Sequence, residues 1–222
     1  MELIHTLYEP QGKGPHPTIL TLHGRGANAL DLLGLAPDVC GGRFLTICPQ
    51  GPLETPSGPE ATGYAWYPMS TGGPPDIATI IASRQKLQRF LDECLAHYPI
   101  DAKKLAVLGF SQGGVMAYSL ALADPNRFAA LVALSSWLPP DLVPHLALGD
   151  SAQSLPTLVQ HGTQDSMIEV ERARHSVETL RHARIPLTYR EYEMGHEIRP
   201  RSLSDLSAWL EEKVLSPILL SK

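Results

Sequence analysis

Ser111 stands in LAVLGFSQGGVMA, residues 105–117, with Gly109 two places before it, Gly113 two places after it, and Gly114 next. An apolar run ending at Gly109 reads as a strand, and a helix beginning near Gln112 leaves the serine only a very sharp turn. Such a turn crowds neighbouring Cβ atoms, and glycine at the two flanking positions removes that crowding. The pattern predicts a nucleophile elbow, in which Oγ is lifted beside a helix N-terminus whose N–H groups favour developing negative charge. The competing reading is a serine that only caps the helix.

A serine hydroxyl attacks poorly until a base takes its proton, and the base needs a carboxylate to fix its tautomer. With a strand–turn–helix nucleophile the expected chain order is serine, acid, histidine. Asp165 follows the strand candidate 156–160 in HGTQD, and His196 follows the strand candidate 187–192 in EMGHE. Parallel strands deliver their C-terminal ends to one rim, so both residues belong beside Ser111. Asp141, Asp150, Glu169 and Glu171 sit in helix-like or poorly placed segments. His175 and His182 fall within a helix, and His5, His16, His97 and His145 read as surface residues. His196-Glu197 does not complete the HExxH zinc pattern, because Pro200 takes the second histidine's place. No metal and no cofactor are expected. In TLHGRGAN, residues 21–28, Gly24 and Gly26 allow a tight loop that aims the Arg25 N–H at the site, and the Gln112 N–H supplies a second oxyanion donor. His23 and His161 read as structural, hydrogen-bonding their loops.

These residues need a scaffold that holds loop ends together. Short apolar runs at 18–22, 44–48, 105–109, 129–134, 156–160 and 187–192 are of the kind buried on both faces of a parallel sheet, and residues 2–8 suggest an edge strand. Amphipathic helices are expected over 76–97, capped by Asp76, over 168–183 with Val170, Ala173, Val177 and Leu180 inward, and over 200–214 with Leu203, Leu206, Leu210 and Val214 inward. The alternation implies an α/β fold. Residues 50–75 hold five glycines and six prolines, so no regular element is expected there. Tyr64, Trp66, Tyr67 and Met69 either anchor that loop to the core or also wall a substrate pocket, which makes the loop a candidate flap.

With 222 residues, 43% of them hydrophobic, the chain fits one domain over residues 1–222. A net charge of −5 and the lack of a basic cluster argue against nucleic acid as a partner. No apolar run is long enough to span a membrane, and the N-terminal residues carry no signal pattern, so a cytoplasmic protein is expected. Cys40, Cys48 and Cys94 form no CxxC pattern and read as buried free thiols.

LHGRGAN, GFSQGG, LSSWLP at 134–139, HGTQD and the GH at 195–196 together resemble the phospholipase/carboxylesterase family of α/β-hydrolases, which includes acyl-protein thioesterases and small bacterial carboxylesterases. The resemblance covers nearly the whole chain. It implies an α/β-hydrolase fold with a mostly parallel central sheet and helices on both faces. It also implies a Ser111–Asp165–His196 triad, oxyanion donors on the backbone of Arg25 and Gln112, and hydrolysis of a small acyl ester with a short to medium acyl chain. Thioesters and lysophospholipids are the alternative substrates, a non-catalytic ligand-binding protein the alternative class. Trp137 and Leu138 of LSSWLP join Trp66, Tyr67 and Met69 as expected pocket residues. Met167 and Ile168 belong to the same expected rim, where the family tends to read DPVVP and this chain reads DSMIE. Family relatives are often dimers, and Ile218, Leu219 and Leu220 could pack within the chain or across a homodimer.

Overall fold

The computed structural model describes residues 1–58, 61–69 and 73–216. In chain order the strands and helices are β1 (His5–Tyr8), β2 (His16–Leu22), β3 (Leu45–Pro49), β4 (Leu53–Pro56), β5 (Thr62–Ala65), α1 (Ile77–His97), β6 (Ile100–Phe110), α2 (Gln112–Ala123), β7 (Ala130–Leu134), β8 (Thr157–Gly162), α3 (Val170–His182), β9 (Leu187–Tyr192) and α4 (Pro200–Leu210). Seven strands make one sheet in the order β1-β3-β2-β6-β7-β8-β9. All neighbours are parallel except β1, which runs antiparallel to β3 at the edge.

Side-chain alternation divides the strands between two cores. Leu20, Leu22, Val107, Leu131, Ala133 and Val159 face α1, α2 and α3, where they meet Ile80, Leu87, Val115, Val177 and Leu180. Ile19, Ala106, Leu108, Val132 and Leu158 face the other way, onto Leu206, Trp209 and Leu210 of α4. Burying both faces of a parallel sheet requires the near-continuous apolar runs seen in β6 and β7. Helix α1 begins as its sequence predicts: Asp76 has extended φ and ψ, and its carboxylate accepts from the Thr79 N–H at 3.2 Å. All four inward residues expected of α3 are buried. The expected helix over 200–214 is α-helical only to Leu210 and then widens into a π turn over Glu211–Leu215.

The segment 50–75 departs from expectation, since β4 and β5 pair antiparallel within it, from Leu53 opposite Ala65 to Pro56 opposite Thr62. Pro52 precedes β4 and Pro56 ends it, where a missing N–H breaks no ladder. Ile218, Leu219 and Leu220 lie outside the described residues.

Candidate active site

Phe110 ends β6 and Gln112 opens α2, so Ser111 alone makes the turn between them. Its φ is +54° and its ψ −119°, a strained conformation for a residue with a side chain. Two glycines make this turn feasible. A methyl group on Gly109 would overlap the Gly113 carbonyl, and one on Gly113 would overlap the Leu22 carbonyl of the neighbouring strand. The turn is tied down by the Ser111 N–H donating to Leu134 O at 2.9 Å and by Ser136 Oγ donating to Ser111 O at 2.7 Å. The Ser111 hydroxyl does not cap α2; it lines a cavity of about 540 Å³ that also holds His196, Arg25 and Gln112 on its walls.

Asp165 lies just past β8 and His196 just past β9. His196 Nδ1 donates to Asp165 Oδ2 at 2.7 Å. The other carboxylate oxygen accepts from the Met167 and Ile168 N–H groups, both at 2.9 Å. Asp165 is buried, and its three hydrogen bonds leave it little freedom to turn. The Phe110 ring packs 4.9 Å, centroid to centroid, from the imidazole. His161 is wholly buried behind the acid, with Nε2 facing Ile168 O at 2.8 Å and Asp165 Oδ2 at 3.4 Å.

On the opposite wall, residues 23–28 turn over Gly26, at φ +83°. His23 anchors this loop through both ring nitrogens: Nδ1 faces Gly24 O at 2.7 Å, and Nε2 accepts the Gly51 N–H at 2.9 Å. Burial holds the His23 pKa below its ordinary value. Strand β5 supports the same loop, since Gly26 N–H donates to Tyr64 O and Tyr64 N–H to Ala27 O, each at 2.8 Å. Among the described residues, the Arg25 and Gln112 N–H groups donate to no protein acceptor. An orphan donor is the ordinary condition of a helix N-terminus such as that of Gln112.

Of the expected pocket residues, Tyr67, Met69, Trp137, Met167 and Ile168 line the cavity, and Trp66 and Leu138 do not. Trp66 is fully buried behind the wall, its indole N–H donating to His23 O at 2.9 Å. Leu138 is buried against α3, its N–H bonded to Ser176 Oγ. Sequence reasoning passed over the Gln112 side chain. Its Oε1 accepts the Trp66 N–H and its Nε2 donates to Tyr67 O, both at 2.8 Å, which fastens the 50–75 segment to the elbow. The polar residue directly after the serine was the available signal. Cys40, Cys48 and Cys94 are buried free thiols, and burial raises Cys48 to about 11 and Cys94 to about 12.

The Phospholipase/Carboxylesterase family profile matches residues 6–214. The chain belongs to the phospholipase/carboxylesterase family. It is 24% identical over 227 residues to acyl-protein thioesterase 1 of Mycosarcoma maydis, covering 91% of this chain and 93% of that one. It is 23% identical over 174 residues to a probable carboxylesterase SOBER1-like of Arabidopsis thaliana, covering 73% of this chain and 66% of the relative. The chain thus spans less than two thirds of the length of that plant relative. The carboxylesterase of Bacillus cereus superposes with a TM-score of 0.80 at 22% identity, covering 94% of this chain and 93% of that chain. That likeness identifies the scaffold as the α/β-hydrolase fold. Among the described residues no helix is long and apolar enough to cross a membrane.

Proposed function

We propose that this member of the phospholipase/carboxylesterase family is a serine carboxylesterase acting on small acyl esters through Ser111, His196 and Asp165. The observation that carries this reading is the strained elbow of Ser111 opening into the same cavity as a His196 whose Nδ1 is held at 2.7 Å by a buried carboxylate. With Nδ1 committed to Asp165, Nε2 is the ring nitrogen left to exchange protons. Ser111 Oγ and His196 share the cavity without a hydrogen bond between them, a looseness common before substrate is seated. Ser111 Oγ attacks the acyl carbon and its proton passes to Nε2. The oxyanion is received by the Arg25 and Gln112 N–H groups. As the carbon–oxygen bond to the leaving alcohol breaks, Nε2 returns the proton to that alcohol. Water then attacks the acyl-serine, gives a proton to Nε2, and frees the acid as the proton goes back to Oγ.

The cavity falls within the roughly 300–1,000 Å³ of small-molecule sites. Tyr67, Met69, Gly73, Pro74 and Pro75 line it, in support of the 50–75 segment as a pocket flap. Thioester hydrolysis uses the same attack and is the second reading, favoured by the near full-length similarity to an acyl-protein thioesterase. Three buried thiols kept free fit a reducing, cytoplasmic setting. The test is hydrolysis of p-nitrophenyl esters from acetate to palmitate, with S111A as control. A maximum at short to medium chains that vanishes in S111A is expected. Failure of the wild type to cleave any ester or thioester in such a series would contradict the proposal.

A further inference from the structure

Two guanidinium groups line the reaction cavity of a chain whose net charge is −5. Arg172 lies 4.2 Å above the centre of the Trp137 ring, and both residues face the cavity. Among the described residues Arg172 makes no ion pair and no side-chain hydrogen bond, although Glu169 and Glu171 are its neighbours in the chain. Glu171 pairs with Arg174 instead. Arg172 is the third residue of α3, where the positive end of the helix dipole disfavours a cation. Arg172 is exposed, so solvent can satisfy its charge, but local propensity gives no reason for a cation in the first turn of α3. Stacking on the indole fixes the guanidinium plane and leaves its N–H groups free for a ligand. Arg25 faces the cavity from the other wall, with one N–H to Thr55 Oγ1 at 3.1 Å and the rest unused among the described residues. Among the described residues Asp31 is the carboxylate that lines this cavity, and it forms no ion pair with either arginine.

We infer that the preferred substrate carries a negative charge, a carboxylate or phosphate on its acyl tail or its leaving group, received by Arg172 on its Trp137 platform with Arg25 opposite. The inference rests on the hydrolase reading of this cavity and names the substrate class. A planar, pre-positioned guanidinium suits an oxyanion by forked hydrogen bonding, and such charge-assisted bonds are stronger than neutral ones.

The test compares kcat/KM for matched ester pairs. In the acyl arm p-nitrophenyl hexanoate is set against the p-nitrophenyl monoester of adipic acid; in the leaving-group arm nitrophenyl butyrate is used with and without a ring carboxylate. The charged ester is expected to be preferred about tenfold in one arm, which then identifies the end of the substrate that bears the charge. R172M should remove most of that preference, R172K should keep part of it, R25M should reduce it less than R172M, and added salt should weaken it. Circular dichroism shows whether each variant is folded. A neutral ester favoured in both arms, or a charge preference unaltered in folded R172M and R172K, would overturn the inference while the hydrolase reading stands. No cleavage of any of the four esters by the wild type, or equal cleavage by S111A, would overturn the hydrolase reading and the inference with it.

Discussion

The elbow at residues 109–114 and the segment at 50–69 meet through the Gln112 side chain, yet different forces shape them. The elbow is dictated by backbone sterics at close quarters: one strained serine, with glycines where any Cβ would strike a carbonyl of the turn or of adjacent β2. The 50–69 segment has little local reason for its shape. Its ribbon is short, and its path is set from outside by Gly26 and Ala27 against Tyr64, by Gln112 against Trp66 and Tyr67, and by Ser83 Oγ donating to Trp66 O. A turn fixed by local sterics tolerates almost no change at its glycines, whereas a segment held by distant hydrogen bonds can be loosened one bond at a time.

Substitutions should expose that difference. Ser111→Ala removes the proposed attacking oxygen without touching the turn's hydrogen bonds, and turnover should fall by about 10⁴-fold or more while the thermal midpoint stays nearly unchanged. Gly113→Ala forces a methyl into the Leu22 carbonyl, and a loss of about 3–5 kcal/mol in denaturant unfolding is expected. Gln112→Leu keeps the backbone N–H but strands the Trp66 N–H and Tyr67 O; unfolding should show a loss of about 2–4 kcal/mol, with KM raised as the Tyr67 wall loosens. Equal effects from Gln112→Leu and a surface change such as Glu54→Gln would dissolve the contrast between the two regions.

The smallest effect concerns His23, which anchors the loop between the two regions. Its folded pKa is held below the ordinary value by burial, so above about pH 6.5 the imidazole is neutral in both folded and unfolded states and costs nothing. As pH falls below that value the unfolded chain takes up the proton first, and protonation of Nε2 in the folded chain would break the Gly51 bond. Stability should therefore decline with acid, by at most about 1.4 kcal/mol per pH unit from this residue. His23→Asn should flatten that part of the stability profile.

The same distinction explains what could be read from the chain. The central strands were legible because burial on both faces demands unbroken apolar runs, and the elbow because glycine at two fixed offsets has few other uses. Strand β6 begins at Ile100, earlier than its apolar core suggests, because His16 and Ile100 pair across an irregularity in register. The β4–β5 ribbon was hidden: Gly63 and the flanking prolines carry the composition of a loop, and the pairing depends on residues 26, 27 and 112. The directions of Trp66 and Leu138 were equally invisible, since a type and a position say that a side chain is buried but not on which side of a cavity wall. The roles of Ser136, Ser83 and the Gln112 amide come from contacts between elements distant in sequence.

The proposed mechanism stands or falls with Ser111 as the nucleophile. Diethyl p-nitrophenyl phosphate phosphorylates an activated serine with loss of p-nitrophenolate, so the most direct measurement is the intact mass of the protein after that reaction, followed by peptide mapping. One diethylphosphoryl group per chain is predicted, located on Ser111, absent from S111A, and formed in step with loss of ester hydrolysis. A protein that is modified elsewhere, or that remains unmodified while still cleaving esters, would contradict the account.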